Sequence, residues 1–401
     1  MKIVVISNLY PPNVRGGAEV STHILVGALC ELGHKVMVVT LAADGRDGVS
    51  LGQNGEEVMS VTTRHPYFPF TAAQRNVREK ARWHVTELID RGPSEAVATA
   101  IQEFGADLVL TQNLTGLGLR FAQDLRRRLG SHFLMIHTLR DYGLICVRNT
   151  CYHRGQAFCP KFSLCSLKRA MARMYFDGVF DGVVGLTSVV QEKHNAAGLF
   201  RATPSRTIHN TAPVSDMESK YPPATNGFGY LGSLTEEKGV LDLLQAYSIA
   251  YQQDQSIGPL LLAGQGTAGF ESILRERSSG LPVELLGRVE RTTLFRRVAT
   301  LVVPSRWDEP FGRVVIEGAS AGLRLILSDR GGLEEAASSL NNLASGPSIG
   351  RFEGGNVPAL ASCLLSAREL IPFKRDVHSE PVSEIGQRYI NFAENLVDLR
   401  S

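Results

Sequence analysis

The chain of 401 residues is 43% hydrophobic and 20% charged, with a formal net charge of +2 and a pI near 8.2. This is an ordinary globular composition, with the length of two domains. The balanced charge gives no footing for nucleic-acid binding, six cysteines are too few for a disulfide scaffold, and no apolar stretch approaches the roughly 20 residues that span a bilayer.

In chain order, "MKIVVISNLYPP" reads as a first buried strand. Its apolar part is too short for a signal peptide and no small-residue cleavage site follows, so the expected location is cytoplasmic. Further strands are expected at "KVMVVTLA", "DLVLTQ", "HFLMIHT" and "GVVGLTS", with "RTIHN" closing the first half; residues 42–60 read as a surface loop or hairpin. The second half offers "GFGYLGS", "PLLLAGQG", "VELLGRV", "TLVVPSR" and "RLILSD". Helix-like stretches follow, as at 17–32, 116–129, 239–253, 290–298 and 311–322. Short β-branched runs alternating with such stretches predict parallel sheets covered on both faces. The expected domains are 1–212 and 225–375, and a final helix at 380–401 is expected to pack back on the first. "TAPVSDMESKYPPATNG" between them, with three prolines and no periodicity, suits a linker.

Several stretches carry chemistry. In "NLYPPNVRGGAEV" a strand gives way to Gly16-Gly17 and then to a helix, whose first turn presents free N–H groups to an anion; the plain alternative is a tight turn. "GYLGSLTEEKGV" repeats the arrangement: Gly232 and Ser233 follow a strand, and Lys238 before a helix is a point charge suited to phosphate, or a solvated loop lysine. Gly264 ends another buried strand at the carboxyl edge, where doubly wound sheets bind ligands. In "WDEPFGRVVIEG" Glu309 precedes the turn Pro310-Phe311-Gly312, and Glu317 sits inside an apolar helical run. A buried carboxylate without partners costs several kcal/mol. The hydroxyls of a ribose could supply the hydrogen bonds, or an arginine such as Arg313 or Arg324 could pair with it.

Taken together these stretches suit a sugar nucleotide. At "GYLGSLTEEKGV", "LLLAGQG", "LLGRV", "VVPSRWDEPFGRVVIEGASAG" and "SDRGGLEE", and at "PP…GGAE…LCELGHKVMVVT", the chain resembles the retaining GT-B glycosyltransferases, family 4 in the usual sequence classification. The seven residues between Glu309 and Glu317 are the most specific part of the match. The resemblance implies an α/β GT-B fold, two Rossmann-like doubly wound parallel-sheet domains facing across a cleft. It implies transfer of a hexosyl group from a nucleotide-diphosphate sugar with retention and without a metal or other cofactor. By position, Glu317 would accept from the ribose. Glu309 and the amides around Phe311-Gly312 would hold the sugar, Lys238 and Gly17 would face the diphosphate, and Arg288-Val289 would lie beside the base.

The chain departs from the family in two places. Ser233 stands where the family commonly has an arginine, so one phosphate-binding cation is missing, and Arg313 is a candidate substitute. In "FLMIHTLRDYGLIC" many relatives carry His-Asp-Tyr with the histidine near the donor sugar. Here that position is Arg140, expected to point at the cleft, while His137 is either that histidine displaced or a core histidine bonded to backbone. A Cys-rich branch of the family reads "HTLRDY…C". Cys146, Cys151, Cys159 and Cys165 fall within twenty residues with His153 among them, and four thiols in one loop of a cytosolic protein are candidates for a structural zinc site, with buried free cysteines and disulfides as alternatives.

Two basic segments, "QRNVREKARWHVTELI" and "LKRAMARMYF", could lie on an anionic membrane surface or be ordinary solvated helices. The first reading makes the acceptor a lipid-linked sugar at the inner face of the membrane; otherwise it is a free saccharide. Sugar-nucleotide epimerisation and a catalytically silent sugar-nucleotide-binding protein are the competing functions. A nicotinamide dehydrogenase fits less well, since neither glycine loop has the G-x-G-x-x-G spacing.

Overall fold

The computed structural model describes residues 1–69, 71, 75–153, 163–211, 226–340, 347–373 and 381–399. The described residues within 1–151, 160–211 and 380–401 form one unit, and those within 152–159 and 212–379 a second. The expected linker at 212–225 lies outside the described residues.

The N-terminal unit runs β1 (Lys2–Ile6), α1 (Gly17–Glu31), β2 (Lys35–Leu41), β3 (Gly48–Leu51), β4 (Glu57–Val61), α2 (Val77–Ile89), α3 (Ser94–Phe104) and β5 (Leu108–Thr111). It continues α4 (Phe121–Leu129), β6 (Leu134–Leu139), α5 (Ser163–Phe176), β7 (Gly182–Gly185), α6 (Ser188–Ala196) and β8 (Ser205–Thr207). The sheet order is β3-β4-β2-β1-β5-β6-β7-β8. All pairings are parallel except β3 with β4. The order reverses between β1 and β5, which places the loops after these strands at the switch point where such sheets bind ligands. Ile3, Val4, Val5 and Ile6 are wholly buried, as a central parallel strand covered by helices on both faces requires.

The stretch 42–60 is more than a loop. It folds back as β3 and then inserts β4 beside β2. Glu56, 1% exposed, anchors it by accepting from the Tyr10 hydroxyl at 2.5 Å and the Asn54 amide at 2.7 Å. Helix α4 starts at Phe121, later than its expected stretch, because Gly116 and Gly118 take positive φ just before it. The helical cover of the sheet is completed from far along the chain: α13 (Val382–Asp398) packs on α1. A side chain at Gly386 would come within 3.2 Å of Ala28 Cβ, so glycine permits the close approach of the two helices.

The C-terminal unit runs β9 (Phe228–Leu231), α7 (Val240–Gln253), β10 (Leu260–Ala263), α8 (Ala268–Arg277), β11 (Val283–Gly287), α9 (Arg291–Phe295) and β12 (Thr300–Val303). It continues α10 (Arg313–Ser320), β13 (Arg324–Ser328), α11 (Leu333–Ser338), β14 (Ile349–Phe352) and α12 (Val357–Leu365). Its sheet is wholly parallel in the order β11-β10-β9-β12-β13-β14, reversing between β9 and β12. Strand β14, "IGRF", was not expected, since it carries a glycine and an arginine and has no continuous apolar run. Among the described residues no helix is long and apolar enough to cross a membrane.

Candidate functional site

The switch point of the C-terminal sheet gathers the loops after β9, β10 and β12. The first two touch: a side chain at Gly264 would stand 1.7 Å from the Gly232 carbonyl, and Leu234 bridges Gly266 in parallel. Gly239, left-handed at φ 71°, caps α7, and a Cβ there would lie 1.8 Å from the Pro304 carbonyl. The loop bearing Lys238 is thereby pressed onto the end of β12.

That contact delivers Lys238 to Glu309. Its Nζ donates to Oε1 at 2.7 Å and Oε2 at 3.0 Å, while Ser305 Oγ donates to Oε1 at 2.5 Å. The ammonium also lies 5.0 Å from the centre of the Trp307 ring. Glu309 is fixed from behind, since its carbonyl accepts from Gly332 N at 2.7 Å. The site therefore presents a lysine, a carboxylate and a glycine-lined surface within one domain. Pro310 and Phe311 are buried, and Gly312 caps α10 at φ 85° with Leu333 filling the space a side chain would need.

Glu317 does lie buried, 6% exposed, on α10. Its charge is met by arginines. Arg313 Nε and Nη2 donate to Oε1 at 2.7 and 2.5 Å, and Arg291 Nη1 donates to the same oxygen at 3.2 Å. The carboxylate therefore needs no ribose to stay charged. Of the two expected arginine partners, Arg324 is turned away to the Leu370 carbonyl. Arg313 spends two donors on Glu317, which argues against its replacing a cation at Ser233. Ser233 is exposed and its carbonyl accepts from the Tyr230 hydroxyl at 2.6 Å. Arg288 is exposed and Val289 half-buried, just past β11.

In the N-terminal unit Gly17 opens α1 and is exposed. The amide before it, Gly16 N, is already taken by Glu19 Oε2 at 2.7 Å, so a carboxylate of the chain itself occupies part of the expected anion site. Arg140 is 6% exposed and turned inward: Nε donates to Gln112 Oε1 at 2.7 Å and Nη1 to Asn210 Oδ1 at 3.1 Å. His137 lies on β6 as a core histidine. Its Nδ1 is 2.8 Å from Thr111 Oγ1, a side-chain partner in place of the expected backbone one, and Phe180 and Phe200 pack on its ring.

Burial, with His194 and Arg140 nearby, pushes the His137 imidazole down to about 3, and burial pushes His194 down to about 4. Both values lie below the ~6.5 of an unfolded histidine. Below that pH the unfolded chain takes up protons that the folded one refuses, so stability is intact above it and falls towards pH 4. Each histidine is expected to cost about 2 kcal/mol at pH 5. Urea unfolding at pH 7 and pH 5 measures the drop. It should shrink in His137→Phe and in His194→Phe, and an unchanged drop in both refutes the assignment.

The cysteine expectation is met in part. Cys146, Cys151 and Cys165 are buried free thiols; Cys146 is pulled down to about 5 by the Cys151 thiol hydrogen-bonded to it. Cys159 lies outside the described residues. Among the described residues no group of three or more His, Cys, Asp or Glu is arranged to hold a metal ion, so no zinc site is formed there.

The two basic segments divide differently from the expected pattern. Trp83 and Lys168 face inward, at 7% and 5% exposure. What α2 exposes is the stripe Val77, Ala81, Val85 and Ile89 with Arg78 and Arg82 alongside; α5 exposes Leu167, Arg173 and Met174. Arg291, Trp307 and Gln112 were not singled out in the sequence, because no spacing connects them to the groups they meet; nor was Ser305, although it stands four residues before Glu309.

Residues 225–365 match the family model described as glycosyl transferases group 1. An uncharacterized 42.6 kDa protein in the cps region of Klebsiella pneumoniae is 29% identical over 86% of this chain and 89% of its own. Glycogen synthase of Mycobacterium tuberculosis is 35% identical over 27% of each chain. Among solved structures, sucrose-phosphate synthase from Thermosynechococcus elongatus superposes with a TM-score of 0.67 at 18% identity, over 100% of this chain and 98% of its own. Anabaena HepE in complex with UDP-glucose gives 0.64 at 16%, over 100% and 99%. With two parallel-sheet α/β domains, these likenesses make the fold GT-B.

Proposed function

We propose that the chain is a retaining, metal-independent family 4 glycosyltransferase. It moves a hexosyl group from a nucleotide-diphosphate sugar to a saccharide or lipid-linked acceptor in surface polysaccharide synthesis. The observation that carries this reading is the Lys238–Glu309 pair held at the switch point of the domain that matches group 1 glycosyl transferases. As the leaving diphosphate gains charge, Lys238 and the amides at the start of α7 stabilise it, the largest kind of contribution such sites make. Glu309, released from the lysine, accepts from the sugar hydroxyls, with the amides of Phe311 and Gly312 beside it. Glu317 directs Oε1 to its arginines and offers Oε2 to the ribose, while Arg288 and Val289 flank the base. The UDP-glucose complex of the Anabaena protein supports a UDP-sugar donor, and the cps-region relative supports the polysaccharide setting. The exposed apolar and basic stripe of α2 favours peripheral contact with an anionic membrane.

The test is incubation of the full chain with UDP-, GDP- and ADP-sugars and with free or vesicle-borne saccharide acceptors, read by thermal shift and by mass spectrometry of products. One donor should raise the melting temperature and one product should gain a hexose. Binding without transfer would favour the silent sugar-nucleotide binder, and an altered donor without transfer an epimerase. Protein left wholly in the supernatant after spinning with anionic vesicles would remove the membrane contact.

A further inference from the structure

A narrow cavity of about 20 Å3 lies at the carboxyl ends of β5 and β6, against α2 and α5. It has room for about one water or one ligand oxygen and none for a sugar ring. Two of its lining side chains carry donors without an acceptor, a buried amide on Gln112 and the ammonium of Lys168. Gln112 is 1% exposed, and because its Oε1 accepts from Arg140 Nε, the amide cannot be flipped without setting N–H against N–H. Its Nε2 is therefore fixed, and it is buried with no partner. Lys168 is 5% exposed, and among the described residues its ammonium makes no hydrogen bond or ion pair.

The carboxylates around the cavity, by contrast, have donors. Asp141 accepts from Gly143 N at 2.7 Å and Asn113 Nδ2 at 2.9 Å; Glu87 accepts from Gly116 N at 3.1 Å and lies 2.9 Å from His65 Nε2. Among the described residues neither Gln112 Nε2 nor Lys168 Nζ is paired with them. A buried amide and the ammonium of a largely buried lysine beside one small void call for an oxygen, and an ionised oxygen makes the stronger bond to the ammonium. Arg140 and Lys168 stand against Asp141 and Glu87, and burial raises the Asp141 carboxyl above its usual range, so the lining carries no excess of negative charge to repel an anion.

We propose that this cavity takes one oxygen of an anionic group, phosphate or carboxylate, on the acceptor, held by Lys168 Nζ and Gln112 Nε2. This rests on the glycosyl-transfer reading. It gives that reading an acidic acceptor: a sugar phosphate, a lipid-linked phosphate or an acidic sugar.

Calorimetry on the full chain tests it, with inorganic phosphate and glucuronate as probes and glucose as the neutral control. Phosphate or glucuronate should bind and glucose should not. Lys168→Gln should weaken that binding roughly tenfold or more, as loss of a charged hydrogen bond does, while UDP-glucose binding stays unchanged. Gln112→Glu keeps the acceptor for Arg140 and replaces the idle donor, so it should weaken the anion likewise; it decides the matter if Lys168→Gln does not fold. Binding of phosphate alone points to a phosphorylated acceptor, and of glucuronate alone to an acidic sugar. Failure of both anions to bind, or equal binding in the variants, means that the cavity holds only water and overturns the proposal. Failure of every nucleotide sugar to bind, with the anion site intact, would instead remove the glycosyl-transfer reading.

Discussion

Lys238→Ala is expected to lower kcat by about two to three orders of magnitude, the usual effect of removing a preorganised charge partner from the transition state. The variant also leaves Glu309, whose side chain is 9% exposed, with Ser305 as its remaining side-chain donor. Stripping the partner from a fully buried ion pair costs about 3–5 kcal/mol. The lysine side chain is 27% exposed, so water screens the pair and a loss of about 1–2 kcal/mol is expected here. The double variant Lys238→Ala/Glu309→Gln separates the effects. It should recover most of the stability and none of the activity. Released nucleoside diphosphate and urea unfolding measure the two quantities. A single variant that turns over within about threefold of the parent, far from the expected loss, would show that Lys238 does not act on the leaving group.

Gly239→Ala is expected to be, with Gly264→Ala, among the most damaging single methyl groups in the C-terminal unit. Gly239 adopts φ 71° and its new Cβ would lie 1.8 Å from the Pro304 carbonyl, a backbone atom that cannot rotate aside. Left-handed strain and overpacking each contribute about 1–3 kcal/mol. A loss of about 3 kcal/mol or more is expected, read by calorimetric melting of the full chain. The displaced loop should carry Lys238 with it, so donor affinity falls in whatever fraction remains folded. A melting temperature within a degree of the parent would contradict the tight packing of this loop on β12.

The sequence made the sheets legible because their central strands are short β-branched runs such as "KIVVI" and "TLVV", which suit strands buried on both faces. It did not reveal β14, whose Gly350 and Arg351 break the apolar run, nor that β4 of the expected loop or hairpin joins the main sheet beside β2. For the site, Glu309 and Glu317 were conspicuous because of their spacing along one loop and helix. Their partners were not. Arg291 and Glu317 are 26 residues apart, and Arg140 and Gln112 are 28 apart; only the folded sheet brings such pairs together. Lys168 was misread for a related reason. Between Leu167 and Arg169 it looks like one more charge on a wet face, and only the packing of α5 decides that it turns inward.

The core of the N-terminal unit is shared by segments from distant parts of the chain. Ile385, Tyr389, Phe392 and Leu396 pack with Ile3, Val5, Leu25 and Leu29, and the Tyr389 hydroxyl lies 3.1 Å from Thr138 Oγ1. During synthesis the first domain must wait for residue 396 to leave the ribosome before its apolar seam can be covered. The second domain has every strand of its sheet available by residue 352. The usual order, in which the N-terminal domain matures first, is thereby reversed, and a nascent chain with residues 1–370 outside the ribosome would carry a C-terminal lobe with its sheet complete behind an N-terminal lobe whose seam is open, a target for chaperones.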